Sequence, residues 1–326
     1  MIIFSKNSLY LLIVSFLVSC AAFERSVPSE VGTDQPKVLK DKYKIEPVPS
    51  PTQKPSQPVY KVPTEQEARE EASPIFKVSK EVSVGERYVY SAGWSLLNIG
   101  EIHVEVLPLV RVNGRVGFPI KASGKTNKFF SAFYNAIEDL NVVIDAETLK
   151  PYKFELVGRE SRYTRHQVSI FDYDNKQAYF WRQTKKVDSK EGVTKEITYR
   201  FNENRPYTDS LSPIFSIRSS PLFVGKKMTF RILESAHIYL IKCQIMKEES
   251  KTSLGHEIPS YYFECEGQKI LSEGGKAKAH EEKRKMLGWI SKEKPHYVLE
   301  AKAAVKIGSV SISLIDRKMS ESNSKH

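Results

Sequence analysis

Catalytic signatures are what this chain has least of. No G-x-S-x-G elbow occurs, and Gly124-Lys125-Thr126 has Pro119 where a phosphate-binding loop needs its first glycine. Neither a hydrolase of the first kind nor a nucleotide site of the second is supported. The histidines, at 103, 166, 237, 256, 280, 296 and 326, include no pair two or four apart. With no C-x-x-C either, no compact metal site is expected, and no cofactor. Glu138 and Asp139 are the best acidic pair, but strand neighbours point to opposite faces and cannot share a substrate. Asp139 therefore reads as structural, closing a turn after the segment from Phe129 to Tyr134.

Cysteine is scarce too, with three in 326 residues. Long apolar runs are scarcer: the stretch from Leu9 to Val18 is too short for an ordinary transmembrane helix, which needs about 20 residues. It follows the cation Lys6 and runs into Leu17-Val18-Ser19-Cys20, the pattern of a bacterial lipoprotein signal. Residues 1–19 read as a signal peptide, and Cys20 as the first residue of the mature chain and the carrier of its lipid, with palmitate among its acyl groups. Ala21 is not the aspartate that retains such proteins in the inner membrane. The expected address is the cell envelope, lipid-anchored at the outer membrane and facing the periplasm.

The net charge is +11, and removal of residues 1–19 takes away only Lys6. Such a surplus favours anionic partners, and for an exported protein those are lipid head groups, lipopolysaccharide or cell-wall polymer. The densest basic run is Lys276, Lys278, Lys283, Arg284 and Lys285, softened by Glu281 and Glu282. It reads first as a solvated hairpin and second as a contact for anionic lipid or polysaccharide. Nucleic acid is excluded as a partner because no aromatic residues are interleaved on the same face.

Nine of the 17 prolines fall in residues 21–76, among many Lys, Glu, Gln, Ser and Thr. Few large apolar groups are there to offset the entropy of ordering, so residues 20–77 are predicted to be a disordered tether. Beyond them period-two alternation takes over. Ile102, Val104 and Val106 alternate with His103 and Glu105; Tyr152, Phe154 and Leu156 with Lys153 and Glu155; Val310, Ile312 and Leu314 with Ser311 and Ser313. Turn signals such as Asn113-Gly114, Asp174-Asn175 and Leu254-Gly255 separate the runs. Only the segments at Asn127–Asn135 and after Asp209, with Pro213 in a first turn, look helical.

The predicted fold is all-β: an antiparallel meander over residues 78–318, forming a curved sheet or incomplete barrel with one or two short helices, and a disordered tail at 319–326. A transmembrane barrel would alternate as well, but paired aromatic girdles are missing and the chain ends on polar residues. Cys243 and Cys265 lie symmetrically about Leu254-Gly255, which sets them opposite one another in a hairpin and predicts a cross-strand disulfide; two buried free thiols are the alternative.

The stretch from Val84 to Val310 resembles the exported bacterial proteins grouped as domain of unknown function 3108. The resemblance rests on Gly85-Glu86-Arg87-Tyr88-Val89-Tyr90, Ile99-Gly100-Glu101-Ile102, Phe129-Phe130-Ser131, and Asp145 with Thr148-Leu149-Lys150-Pro151. The segment from Asp209 to Arg218 and Trp289-Ile290-Ser291 complete it. It implies an exported β-rich domain and brings no catalytic residues. Within it Arg218, on a short helix beside a sheet, is expected to pair with Asp139 or Asp209 as a structural ion pair.

Two functions remain in view. The first is a non-enzymatic binding module whose concave face holds an acyl chain or another envelope component, which needs a cavity larger than side chains fill. The second is a structural or interaction lipoprotein that contacts cell-wall polymer or a partner protein. An enzyme is the least expected, because no titratable constellation converges.

Overall fold

The structure, a computed structural model, describes residues 45–47, 79–189, 191–202, 206–273, 276–278, 284–305 and 308–319. Cys20 and residues 320–326 lie outside them. Among the described residues seventeen strands join in one sheet. The first half of the chain supplies β1 (Ile45–Pro47), β2 (Arg87–Trp94), β3 (Leu97–Val106), β4 (Val110–Val112) and β5 (Arg115–Thr126). It continues with β6 (Ala136–Asp145), β7 (Pro151–Glu160), β8 (Tyr163–Asp172), β9 (Gln177–Lys186) and β10 (Gly192–Arg200). The second half supplies β11 (Lys227–Glu234), β12 (His237–Ser253), β13 (His256–Glu273) and β14 (Lys276–Lys278). It ends on β15 (Arg284–Ser291), β16 (Val298–Ala304) and β17 (Ser309–Lys318). Among the described residues two short α-helices, α1 (Lys128–Ser131) and α2 (Ser212–Ser216), interrupt the meander, and α2 runs on into a 3-10 turn (Ile217–Ser219) that carries Arg218.

Every strand ladder is antiparallel, and each half of the chain is a meander. The halves meet where β17 pairs with β2, in the register Val310 with Trp94 and Lys318 with Arg87. Among the described residues no ladder joins β10 to β11, so the sheet stays open between them. Across that seam the chain leaving β10 makes one parallel bridge, Thr208 with Ile232 of β11. The predicted incomplete barrel is what forms, and the segment that connects its two edges carries α2.

Alternation decides what faces inward. Tyr88, Tyr90, Ile102, Val104, Phe154, Leu156, Ile312 and Leu314 are all buried in one cluster drawn from both arms of the sheet, as only a curled sheet allows. Each such large side chain contributes about 1.5–3 kcal/mol. Tight registry adds its own demand at Gly100, where a Cβ would stand 2.0 Å from the Lys125 carbonyl oxygen of β5. Turn chemistry fixes the hairpins: Leu254 and Gly255 both have positive φ, at 51° and 80°, the two-residue turn that matches strand twist.

That turn sets the register of β12 and β13, in which Cys243 faces Cys265. The two are bridged, with Cα atoms 4.0 Å apart. They sit among Ile232, Tyr239 and Ile241 in a second, smaller cluster. Closing a 22-residue loop is worth about 3 kcal/mol.

One stretch of the expected tether is ordered differently. Ile45–Pro47 pairs antiparallel with β4, Ile45 opposite Val112. An alternating Lys-Ile-Glu stretch ending on proline suits a short sheet edge, where the missing N–H is tolerated. Among the described residues no helix is long and apolar enough to cross a membrane.

Candidate functional site

The strands run between two ends that differ chemically. At one end β2 begins, β6 ends and β17 ends; at the other stand the β2–β3 turn, α1 and the β7–β8 turn. We call these the Glu86 end and the α1 end.

The segment that carries α2 crosses the interior, from Ser210, whose Oγ donates to Glu234 of β11 at 3.5 Å, to Arg218 beside Glu86. Asp209 is fully buried and its carboxylate accepts from the backbone N–H groups of Leu211 at 2.6 Å and Ser212 at 2.7 Å. Burial raises its pKa against the pull of those hydrogen bonds. The carboxylate thus holds the first turn, and Pro213 takes a position where no N–H is needed. Leu211 and Phe215 pack into the main core. Arg218 then reaches inward, 1 % exposed, and its Nη1 donates to Glu86 Oε2 at 2.7 Å. Nη2 donates to the Tyr88 hydroxyl at 3.1 Å, which itself donates to Glu86. The guanidinium also lies 4.7 Å from the centre of the Phe215 ring. Burial opposes its charge, but Tyr88 and Glu86 outweigh that and hold its pKa above the ordinary value. Between α2 and strands β2, β3, β16 and β17 remains a cavity of about 10 Å³, lined by Tyr90, Val104, Phe215 and Ile312 among others. That is room for about one water molecule.

The expected partners of Arg218 need correction. Asp209 is spent on the turn before α2. Asp139 lies in the middle of β6 and not at a turn, on the solvent-facing side, 4.0 Å from Lys121. Its neighbour Glu138 points the other way, as alternation requires, and is buried.

Glu138 belongs to a polar cluster near the α1 end. Its Oε1 accepts from Arg165 Nη2 at 2.5 Å. Gln167 Nε2, two residues on, donates to Glu234 Oε1 at 3.2 Å, tying β8 to the end of β11 across the open seam. Burial pushes the Glu138 carboxyl up to about 8 despite Arg165, and the charges of Glu160 and Glu234 push the same way. Burial also raises Glu234. Glu138 Oε2, Arg165 Nε and Gln167 Oε1 have no hydrogen-bond partner. These residues fall in the inward register with Leu140 and Phe171, so alternation already marks them as buried polar groups.

Outside this cluster the α1 end exposes large apolar side chains. Leu96 is 101 % exposed, Phe129 70 % and Phe133 76 %. The two rings lie 5.8 Å apart. Asn127 caps α1 through the Phe130 N–H and ties it to the β2–β3 turn, its Nδ2 donating to the Asn98 carbonyl at 2.7 Å. Trp94 meets Phe130 edge to face beneath them. The basic run lies at this end as well. The backbone of Lys276 and Lys278 forms β14, while Arg284 and exposed Lys285 open β15; Lys283 lies outside the described residues. Among the described residues no group of three His, Cys, Asp or Glu side chains is arranged to hold a metal.

The sequence model of a family described as a protein of unknown function, DUF3108, matches residues 89–315. No curated protein matches. Among solved structures, a β-barrel-like protein of domain of unknown function DUF1849 from Brucella abortus is similar with a TM-score of 0.42 at 7 % identity, covering 73 % of this chain and 99 % of that one. A candidate lipoprotein from Parabacteroides distasonis gives 0.29 at 8 % identity, covering 72 % and 96 %. A candidate exported protein with a YmcC-like fold from Bacteroides fragilis gives 0.30 at 9 % identity, covering 73 % and 97 %.

Proposed function

The chain belongs to the DUF3108 family, whose function is unknown, and from that premise we propose that it is an envelope lipoprotein whose β domain makes contacts from its surface. In this reading Cys20 carries the lipid, at the outer membrane and on its periplasmic side, and the proline-rich residues tether the domain. The domain itself is non-enzymatic. The raised pKa of Glu138 comes from burial, with the charges of Glu160 and Glu234 adding to it, and buried structural clusters perturb pKa values as catalytic ones do.

The observation that carries the reading is the occupied concave face. An acyl-chain carrier needs several hundred cubic ångströms of apolar space; here Leu211, Phe215 and Arg218 pack against β2, β3, β16 and β17, and the cavity between them is about 10 Å³. Among the two functions weighed from the sequence, this favours the interaction lipoprotein over the lipid holder. The basic run at the α1 end supports an anionic envelope component, lipid head group, lipopolysaccharide or cell-wall polymer, as the thing contacted.

Native mass spectrometry of the protein purified from membranes tests this. The expected mass is the mature chain with its N-terminal acyl groups and nothing more; a further bound lipid would overturn the surface reading. Cys20→Ser should leave the protein folded and free of the membrane fraction. Retention there would mean that another feature holds it.

A further inference from the structure

We propose that the α1 end is a bilayer-docking face: Leu96, Phe129 and Phe133 enter the boundary between head groups and acyl chains of an anionic membrane. This rests on the lipoprotein reading and names the partner of its contact surface.

Three observations converge on it. Seven of the thirteen large apolar side chains that stand exposed among the described residues, Leu96, Leu97, Phe129, Phe133, Tyr163, Val187 and Val193, belong to turns or strand ends at this one end. Leu96, Phe129 and Phe133 project from two neighbouring tips, the β2–β3 turn and α1. A flat protein interface would show a continuous patch rimmed by polar groups; separated apolar tips suit a soft phase that closes around each of them. Cations surround the tips. Lys128, Arg159, Arg162, Lys186 and Lys285 are exposed at this end, against exposed Asp188 and Glu191. Long basic side chains lie along an apolar surface and keep their charge at the head groups, which is the arrangement of interfacial segments. Half-buried Trp94 below Phe130 adds the aromatic type enriched at that depth.

The leash permits this orientation. The chain joins the sheet at the opposite end, through β1 on β4 and through Ser79 N–H bonded to the Ala146 carbonyl. A ten-residue strand is about 33 Å long. Residues 20–44, at ~3.1 Å each when extended, span up to ~80 Å. The domain can therefore turn its far end to the membrane that holds its lipid.

The test uses the mature lipidated protein in vesicles of phosphatidylethanolamine and phosphatidylglycerol whose acyl chains carry bromine, with Trp94→Phe subtracted to isolate Trp94 emission. Docking predicts a fall in that emission of about twofold, as for rings carried about 5–10 Å into the boundary. The combined variant Leu96→Ser, Phe129→Ser and Phe133→Ser should keep its melting temperature and lose the quenching, and phosphatidylcholine vesicles should weaken it. Trp94 emission indifferent to brominated chains, or quenching retained by the triple variant, would overturn the proposal. The mass spectrum of the same preparation keeps the outcomes apart. A correct acyl mass with no quenching sinks the docking face alone, and an extra lipid mass sinks the surface reading beneath it.

Discussion

Both ends of the domain bury an arginine against a carboxylate, and they do it with opposite balance. At the Glu86 end one guanidinium meets one carboxylate, with the Tyr88 hydroxyl between them and Phe215 against its face. At the α1 end Arg165 stands in the field of three carboxylates, Glu138, Glu160 and Glu234. A matched pair fixes one geometry; an overcrowded one takes up a proton. The first joins α2 to the start of β2 and so holds the filler of the interior in place. The second makes the buried polar cluster that joins β6 and β8 to the end of β11 sensitive to pH. A sheet without a closing ladder between β10 and β11 therefore relies on side chains at both ends.

The largest effect should come from unbalancing the matched end. Arg218→Ala leaves Glu86 buried without its partner and is expected to cost about 3–5 kcal/mol in urea unfolding. Replacing both, as Glu86→Leu with Arg218→Met, should cost clearly less than Arg218→Ala alone, since two apolar groups leave no orphaned charge. A double variant as damaged as the single one would show that the pair does more than neutralise itself.

Next in size is the pH response of the crowded end. Glu138 has an ordinary carboxyl pKa near 4.5 when unfolded and about 8 when folded. The folded chain thus holds a proton that the unfolded chain releases, and the stabilisation is lost as pH rises toward 8. His237 acts oppositely at lower pH, because burial drops it from 6.5 to about 4. The clean window is therefore pH 6.5 to 8. Stability should fall there by about 1–2 kcal/mol, and Glu138→Gln should flatten the slope. An unchanged slope in that variant would move the proton to another group.

The smallest effect belongs to Asp139. Its pair with Lys121 is half exposed at 4.0 Å, so Asp139→Asn should change unfolding by no more than about 0.5 kcal/mol. A loss like that of Arg218→Ala would restore Asp139 to the buried pair from which the structure removes it.

The strands, the two helical segments and the Cys243–Cys265 bridge follow from spacing alone, because alternation and a turn at Leu254-Gly255 are local properties of the chain. The partner of Arg218 is not local. Glu86 stands 132 residues away, and it meets Arg218 only because α2 packs across the inner face of β2. Glu86 and Arg218 both lie in the segments that carry the family resemblance, so the resemblance held the pair without showing that its members touch. Glu138 was legible in principle: Ala136, Leu140, Val142 and Ile144 share its register. Reading Glu138-Asp139 as an acidic pair drew notice to their separation and away from the face each occupies. The exposure of Phe129 and Phe133 had no local signal, since aromatic residues in and just after a short helix more often turn inward.

Leu211 and Phe215 make the α2 segment part of the core and not a lid over a ligand space. Native-state hydrogen exchange reads this directly at the amides of Leu211, Ile214 and Phe215. The account predicts that they open only with global unfolding, with protection equal to that of Tyr90 and Val104. Exchange at α2 well below the global limit, slowed by added lipid, would contradict it and return the domain to lipid carriage.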